Sequence, residues 1–198
     1  MIVVKLGGSL IRRARELVNE IIGYSKANGG KIMIVPGGSV FADTVRKVNA
    51  SQETAHWMAI LAMEQYGYYI AGGTEAKLVD SLDIGEGVSI LLPYALLKGN
   101  DELPHTWDVS SDTIAAWVAS KLGARFIKAT DVDGIYLNGV LEKELKASEL
   151  AGKETCADAQ LPYFLMENKM NCEIVNGMCP GRLINALHGN VTGTIIKG

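Results

Sequence analysis

Cysteine is scarce in this 198-residue chain, which carries only Cys156, Cys172 and Cys179. The number is odd and no two stand in Cys-x-x-Cys spacing, which argues against a disulfide framework and fits a reducing cytoplasm. Histidine is equally sparse. His56, His105 and His188 are scattered, so a histidine-based structural metal site is not expected and no residue is assigned as a metal ligand. Charge of one sign is not in excess: a net charge of -3 offers no electrostatic footprint for nucleic acid. No apolar run is long enough to span a bilayer. The apolar N-terminus lacks the basic lead and small-residue cleavage site of a signal peptide, and Ile2-Val3-Val4 reads as a first strand instead. Repeats, low-complexity tracts and obvious linkers are missing too. What remains is an ordinary globular balance, 48% hydrophobic and 21% charged, in a chain long enough for one medium domain with a substantial core.

Short apolar runs alternate with longer helix-like segments. Strands are expected over Ile2 to Leu6, Lys31 to Val35, Val88 to Leu92, Arg125 to Ala129, Glu173 to Val175 and Thr194 to Lys197. Helical periodicity runs from Ile11 to Ala27 and stops at Asn28-Gly29-Gly30. Further helices are expected over Val40 to Val48, from a Ser51 cap to about Ile70, from a cap at Ser110 or Ser111 to Leu122, over Leu161 to Lys169, and over Pro180 to Leu187. Lys98 to Trp107, polar and broken by Gly99 and Pro104, reads as a loop. Such alternation implies an α/β layered, mostly parallel sheet, which gathers ligands at the carboxyl ends of its strands.

Glycine is where the pattern becomes specific. Gly7-Gly8, Gly37-Gly38 and Gly134 each follow a predicted strand. Without a Cβ, backbone N–H groups there can approach a phosphate. Gly8-Ser9 is also expected to open a helix whose N-terminal dipole favours an anion. Lys5, just before this loop, could bridge a transferring phosphoryl group. The loop matches neither G-x-x-x-x-G-K-[ST] nor G-x-G-x-x-G, so neither a P-loop enzyme nor an ordinary dinucleotide fold is indicated.

Five stations in order resemble the amino acid kinase superfamily. They are Lys5-Leu6-Gly7-Gly8-Ser9, Pro36-Gly37-Gly38, Ser110-Ser111-Asp112-Thr113-Ile114-Ala115, Thr130-Asp131-Val132-Asp133-Gly134-Ile135-Tyr136 and Gly193-Thr194-Ile195-Ile196. The resemblance spans nearly the whole chain. It implies a three-layer αβα sandwich with a central, mainly parallel sheet of the carbamate kinase-like type. Residues 1–198 would form one domain, with an acceptor-side lobe of about 1–120 and a nucleotide-side lobe of about 121–198. The implied activity is ATP-dependent phosphotransfer to a small molecule, with Mg²⁺ on the ATP phosphates, in a homo-oligomer without nucleic-acid or membrane partners.

By the same resemblance, Lys5 would neutralise the γ-phosphoryl oxygens and Asp112 would orient it. The N–H groups of Gly7, Gly8 and Ser9 would hold the β- and γ-phosphates, and Gly37 and Gly38 would contact the acceptor or the transferring group. Thr130, Asp131, Gly134, Tyr136, Asn176 and Gly177 would border the nucleotide. One departure stands out: where relatives carry a second catalytic lysine, this chain reads Thr155-Cys156-Ala157-Asp158-Ala159. Lys128, Lys169 and Arg182 are the candidates to supply that charge.

Local patterns over Pro36 to Arg46, Ala55-His56-Trp57, His105 to Asp112, and Val175-Asn176-Gly177 followed by Pro180-Gly181-Arg182 resemble a short archaeal branch of the family that phosphorylates an aminomethylfuran phosphate in methanofuran biosynthesis. An acceptor of that kind wants cations for its phosphate (Arg46, His56), an apolar or aromatic wall for its ring (Trp107, Trp57) and a carboxylate for its ammonium (Asp158 or Asp43). Other acceptors stay open, among them a carboxylate, a nucleoside monophosphate and isopentenyl phosphate. So does a nucleotide-binding protein without transfer activity.

Overall fold

The computed structural model describes residues 1–198. In chain order the strands are β1 (Ile2–Leu6), β2 (Lys31–Pro36), β3 (Lys77–Val79), β4 (Gly87–Leu91), β5 (Arg125–Thr130), β6 (Tyr136–Leu137), β7 (Val140–Leu141), β8 (Glu144–Lys146), β9 (Asn171–Asn176) and β10 (Gly193–Lys197). The helices are α1 (Ala14–Asn28), α2 (Ser39–Lys47), α3 (Gln52–Ala71), α4 (Pro93–Gly99), α5 (Ser111–Leu122), α6 (Leu161–Asn168) and α7 (Arg182–Leu187). One eight-stranded sheet runs through the molecule in the order β3-β4-β2-β1-β5-β9-β10-β8. Neighbours from β3 to β9 pair in parallel; β10 runs antiparallel to β9, and β8 follows β10. β6 and β7 form a separate hairpin.

The central strands β1, β2, β4 and β5 are buried on both faces, as a parallel sheet covered by crossover helices requires. Side chains alternate across the pleat, so each central strand feeds two cores. Val3, Met33, Phe126 and Ile174 join one core with the apolar face of α5 and α6. Val4, Leu6, Ile34, Ile127 and Val175 join the other, against α1 and α7. The long α3 belongs to both, giving Ile60 and Met63 to the first and Tyr66 and Ile70 to the second. Truncating one such side chain, for example Ile34→Ala, costs about 2–5 kcal/mol by the usual transfer and cavity terms.

Local signals explain the ends of the main helices. Ser51 caps α3 by accepting from the Thr54 N–H, and Ser110 caps α5 by accepting from that of Asp112. Gly123 closes α5 in the left-handed conformation. The expected segments are present, with some ends coinciding and the others shifted by up to three residues. Elements of two or three residues (β3, β6, β7, β8) went unanticipated because they are too short to display a period. The short α4 begins at Pro93, one residue after β4, and was not anticipated; only its last two residues fall within the loop expected over Lys98 to Trp107.

The helix expected to open at Gly8-Ser9 is corrected: Gly8–Leu10 is a 3₁₀ turn, and α1 starts only at Ala14. The first glycine loop is pressed into a tight bend by its neighbour. A Cβ on Gly37 would stand 2.7 Å from the Gly8 nitrogen, and one on Gly8 would strike the Ser39 backbone. The two glycine stations are therefore packed onto each other, with the Ser39 hydroxyl donating to the Gly8 carbonyl at 3.1 Å.

Candidate active site

β1 lies between β2 and β5; the chain runs from β1 through β2 toward one edge of the sheet and from β5 through β9 toward the other. The crevice at the carboxyl ends of strands around such a switch point is where open α/β sheets bind ligands. A cleft of about 500 Å³ opens there, walled by β1, β5, the two glycine loops, α2, α3, the N-terminus of α5 and the loop before it.

The register of β1 and β5 sets the chemistry of its floor. Lys5 and Lys128 are cross-strand partners, on the same face as Val3 and Phe126. Two like charges side by side and buried repel each other, so the arrangement needs a counter-charge. Asp112, in the first turn of α5, supplies it. Its Oδ1 lies 2.9 Å from the Lys5 Nζ, and its Oδ2 accepts a hydrogen bond from the Lys128 Nζ. The three side chains are 9%, 2% and 5% exposed for Lys5, Lys128 and Asp112.

Burial alone would raise the Asp112 pKa, but Lys128 and then Lys5 outweigh it and hold the carboxyl well below its ordinary range. Burial pulls the Lys5 pKa down; Asp112 opposes this and the neighbouring Lys128 adds to it, leaving a net lowering. Burial also works against Lys128, but Asp112 reverses the balance and its pKa rises. Two ammonium groups thus share one carboxylate at the floor of an open cleft, an arrangement suited to an incoming anion.

The segment at Thr155-Cys156-Ala157-Asp158 closes the back of this cluster. The Cys156 carbonyl accepts from the Lys128 Nζ at 2.6 Å, and the Asp158 N–H donates to Asp112 Oδ2 at 3.2 Å. The Asp158 carboxylate accepts from the Ser110 N–H and hydroxyl, the Thr113 N–H and hydroxyl, and the Leu161 N–H. The expectation that Asp158 meets a substrate ammonium is corrected accordingly. Both its oxygens are filled by donors at the start of α5 and α6, and it does not line the cleft.

Of the other expected residues, Gly7, Gly8, Ser9, Gly38, Arg46, His56, Trp107 and Thr130 all line the cleft. The Gly7 N–H, expected to bind phosphate, instead donates to the Ala129 carbonyl at 2.9 Å, and the Gly37 N–H donates to that of Leu6 at 2.9 Å. Those two donors are committed to joining the loops to the sheet. Gly37 itself does not line the cleft. His56 is 7% exposed and stacks on His105, with ring centroids 4.7 Å apart. Burial, then His105, push its pKa down to about 4 against a smaller upward pull from Asp101. Trp57 packs behind it, edge-on to His105 and Tyr94.

Asp131, Gly134, Tyr136, Asn176 and Gly177 sit outside this cleft, beyond the carboxyl ends of β5 and β9. Asp131 and Tyr136 are exposed there. The Asn176 amide donates to Asp133 Oδ1 at 2.9 Å, Arg182 pairs with the same oxygen, and the Gly177 N–H donates to the Thr130 carbonyl at 2.7 Å. Gly134 has no room for a Cβ against the Thr194 side chain. Of the three cations considered for the second charge, Lys128 alone meets Asp112. Arg182 is held by Asp133, and Lys169 is exposed at the end of α6. The signal for Lys128 in the sequence is a lysine set among the apolar residues Phe126, Ile127 and Ala129 of β5. Tyr66, which braces the first glycine loop by donating to the Gly7 carbonyl at 3.2 Å, carried no such signal.

This fold and its paired ammonium groups belong to a phosphotransferase: the chain is a kinase of the amino acid kinase family, whose profile matches residues 1–172. Among curated relatives it is 37% identical to [5-(aminomethyl)furan-3-yl]methyl phosphate kinase of Methanocaldococcus jannaschii, over 96% of this chain and 94% of that one. It is 24% identical to a uridylate kinase of Thermofilum pendens, over 98% and 97% of the two chains. Among solved structures, the uridylate kinase of Archaeoglobus fulgidus has the same fold, with a TM-score of 0.73 at 20% identity over 99% of this chain and all of that one. The UMP kinase of Bacillus anthracis gives a TM-score of 0.73 at 15% identity, over 99% and 95%.

Proposed function

We propose that this kinase transfers the γ-phosphoryl group of ATP to a small phosphate monoester, [5-(aminomethyl)furan-3-yl]methyl phosphate, forming its diphosphate for methanofuran biosynthesis. The observation that carries the transfer reading is the Lys5–Asp112–Lys128 cluster, two ammonium groups on one carboxylate at the floor of the cleft. An oxygen of the acceptor phosphate attacks the γ-phosphorus, the bond to the β–γ bridging oxygen breaks, and ADP leaves with the electron pair. Such a transfer is achieved mainly by alignment and charge neutralisation. Lys5 and Lys128 would neutralise the moving phosphoryl group, and Asp112 would keep both ammonium groups aimed. An acceptor phosphate is already an anionic nucleophile, so no base has to remove a proton from it.

The acceptor assignment is supported by the similarity to the M. jannaschii kinase and by the cleft lining. Ile60, Met63, Val109, Ile114 and Trp107 offer an apolar and aromatic wall against which a furan ring could pack, with Arg46 and His56 also lining the cleft. The nucleotide would enter from the side of Thr130, Asp131, Gly134, Tyr136, Asn176 and Gly177, its phosphates running past Gly8 and Ser9. The acceptor would sit on the side of residues 1–120. No three His, Cys, Asp or Glu side chains converge on a metal position, so Mg²⁺ would be carried on the nucleotide's own phosphates and waters, adding charge neutralisation there. No helix is long and apolar enough to cross a membrane. The enzyme is proposed to work as a homo-oligomer in the cytoplasm.

The test is ADP release by the purified protein with ATP and Mg²⁺ against a panel of acceptors: the aminomethylfuran phosphate, UMP, isopentenyl phosphate and an amino-acid carboxylate. Highest kcat/KM on the aminomethylfuran phosphate is expected. Efficient turnover of UMP with the furan idle would replace this assignment with a nucleotide acceptor.

A further inference from the structure

Carboxylates line the cleft at two positions only, Asp112 and Asp43. Asp112 is locked between the two lysines of the floor. Asp158, which touches the same cluster through its N–H, has its carboxylate filled by five donors. Asp43 differs from both. It stands on α2 at the cleft wall with its side chain 58% exposed, and its side-chain partner is Arg46, 2.8 Å away and one turn further along the helix. The Arg46 guanidinium in turn sits 5.6 Å from the centre of the Trp107 ring. One turn of α2 therefore presents an acid and a base to the mouth of the cleft, beside an aromatic face.

On the acceptor reading above, we infer that Asp43 is the subsite for the acceptor's ammonium group, so that α2 reads a molecule bearing both an amine and a phosphate. An exposed pair three residues apart on a helix is held weakly and exchanges partners at little cost. A zwitterionic acceptor replaces it with two intermolecular pairs: its ammonium meets Asp43, and its phosphate meets Arg46 and the lysines of the floor. An acceptor without the amine satisfies Arg46 but leaves Asp43 facing the ring with its counter-ion withdrawn. Selectivity for amine-bearing phosphates then follows from one carboxylate, while phosphoryl transfer depends on groups elsewhere.

The experiment compares kcat/KM for the aminomethylfuran phosphate and for its analogue with a methyl in place of the aminomethyl group, in the wild type, Asp43→Asn and Arg46→Gln. The wild type is expected to prefer the amine by about tenfold or more, the worth of one charge-assisted contact. Asp43→Asn should erase that preference by slowing the amine-bearing acceptor alone. Arg46→Gln should slow both acceptors. Equal losses on both acceptors in Asp43→Asn, or no loss on either, with the wild type active on the amine, would overturn the subsite and leave the acceptor assignment standing. A wild type idle on both furans and active on UMP would remove the acceptor assignment and the subsite with it.

Discussion

The molecule contains two aspartate-centred clusters near the strand ends, and they are built to different standards. At the floor of the cleft Lys5 and Lys128 flank Asp112 under near-complete burial. Beyond the ends of β5 and β9, Asp133 holds Arg182 and Asn176 with both charged side chains about a third exposed. The inner cluster is nearly buried, so solvent screens it little, each charge there depends on the others and all three pKa values move. The outer cluster braces two loops, and solvent takes most of the strength out of its ion pair. An aspartate thus anchors a buried, charged cleft floor in one place and a loop fastening in the other.

The sharpest way to break this contrast is Asp112→Asn. Two buried ammonium groups would lose their counter-charge, at a cost of roughly 3–5 kcal/mol in stability. We expect kcat to fall far more than ATP affinity; an unchanged rate in steady-state kinetics would take Asp112 out of the site. Next come Lys5→Ala and Lys128→Ala, each expected to lower kcat by roughly 10²–10³-fold, the effect of losing one transition-state donor. If the two act as a unit, the double variant will lose much less than the product of the single losses, and multiplicative losses would show that they act separately.

Asp158→Ala tests the support behind the inner cluster. It removes the acceptor for five donors at the starts of α5 and α6 and should cost roughly 2–4 kcal/mol by urea denaturation. A neutral result would mean that the α5 N-terminus holds itself in place.

Acid provides a smaller, graded test. The His56 pKa is lowered from 6.5 to about 4 in the fold, so between these values the unfolded chain binds the extra proton and the native state does not. Stability must then decline as pH falls from about 6.5 to 4, by roughly 1–3 kcal/mol, and His56→Gln should flatten that slope in denaturation curves. The groups facing His56 in this window are His105 and Asp101. The contribution of Asp112 has the opposite origin, a depressed carboxyl pKa. It is intact above about pH 4 and lost only as pH falls further. The smallest effect belongs to the outer cluster: Asp133→Ala should leave Tm unchanged, and a large drop would mean that the β5 and β9 loops carry the fold.

Much of the framework was legible before the structure. Buried strands announced themselves as short apolar runs, and the Ser51 and Ser110 caps and the glycine stops marked helix ends. The site was legible where a residue type is rare for its setting. Lys5 at the end of an apolar strand, and the glycines after it, pointed to the floor of the cleft. Legibility failed where a role depends on distant neighbours. Asp158 looked like a spare carboxylate, and nothing in its own segment says that Ser110 and Thr113, some 45 residues earlier, will fill it. The N–H groups of Gly7 and Gly37 looked available until the Ala129 and Leu6 carbonyls claimed them.

By itself the sequence determined the alternating α/β plan, the glycine loops after the first two strands and the presence of Lys5 and Asp112, because periodicity, caps and glycine placement are local properties. Only the tertiary structure decided which second cation joins them. Lys128 faces Lys5 because β1 and β5, more than 100 residues apart in the chain, pair in parallel at that register. One step of slip would have turned it to the opposite face of the sheet.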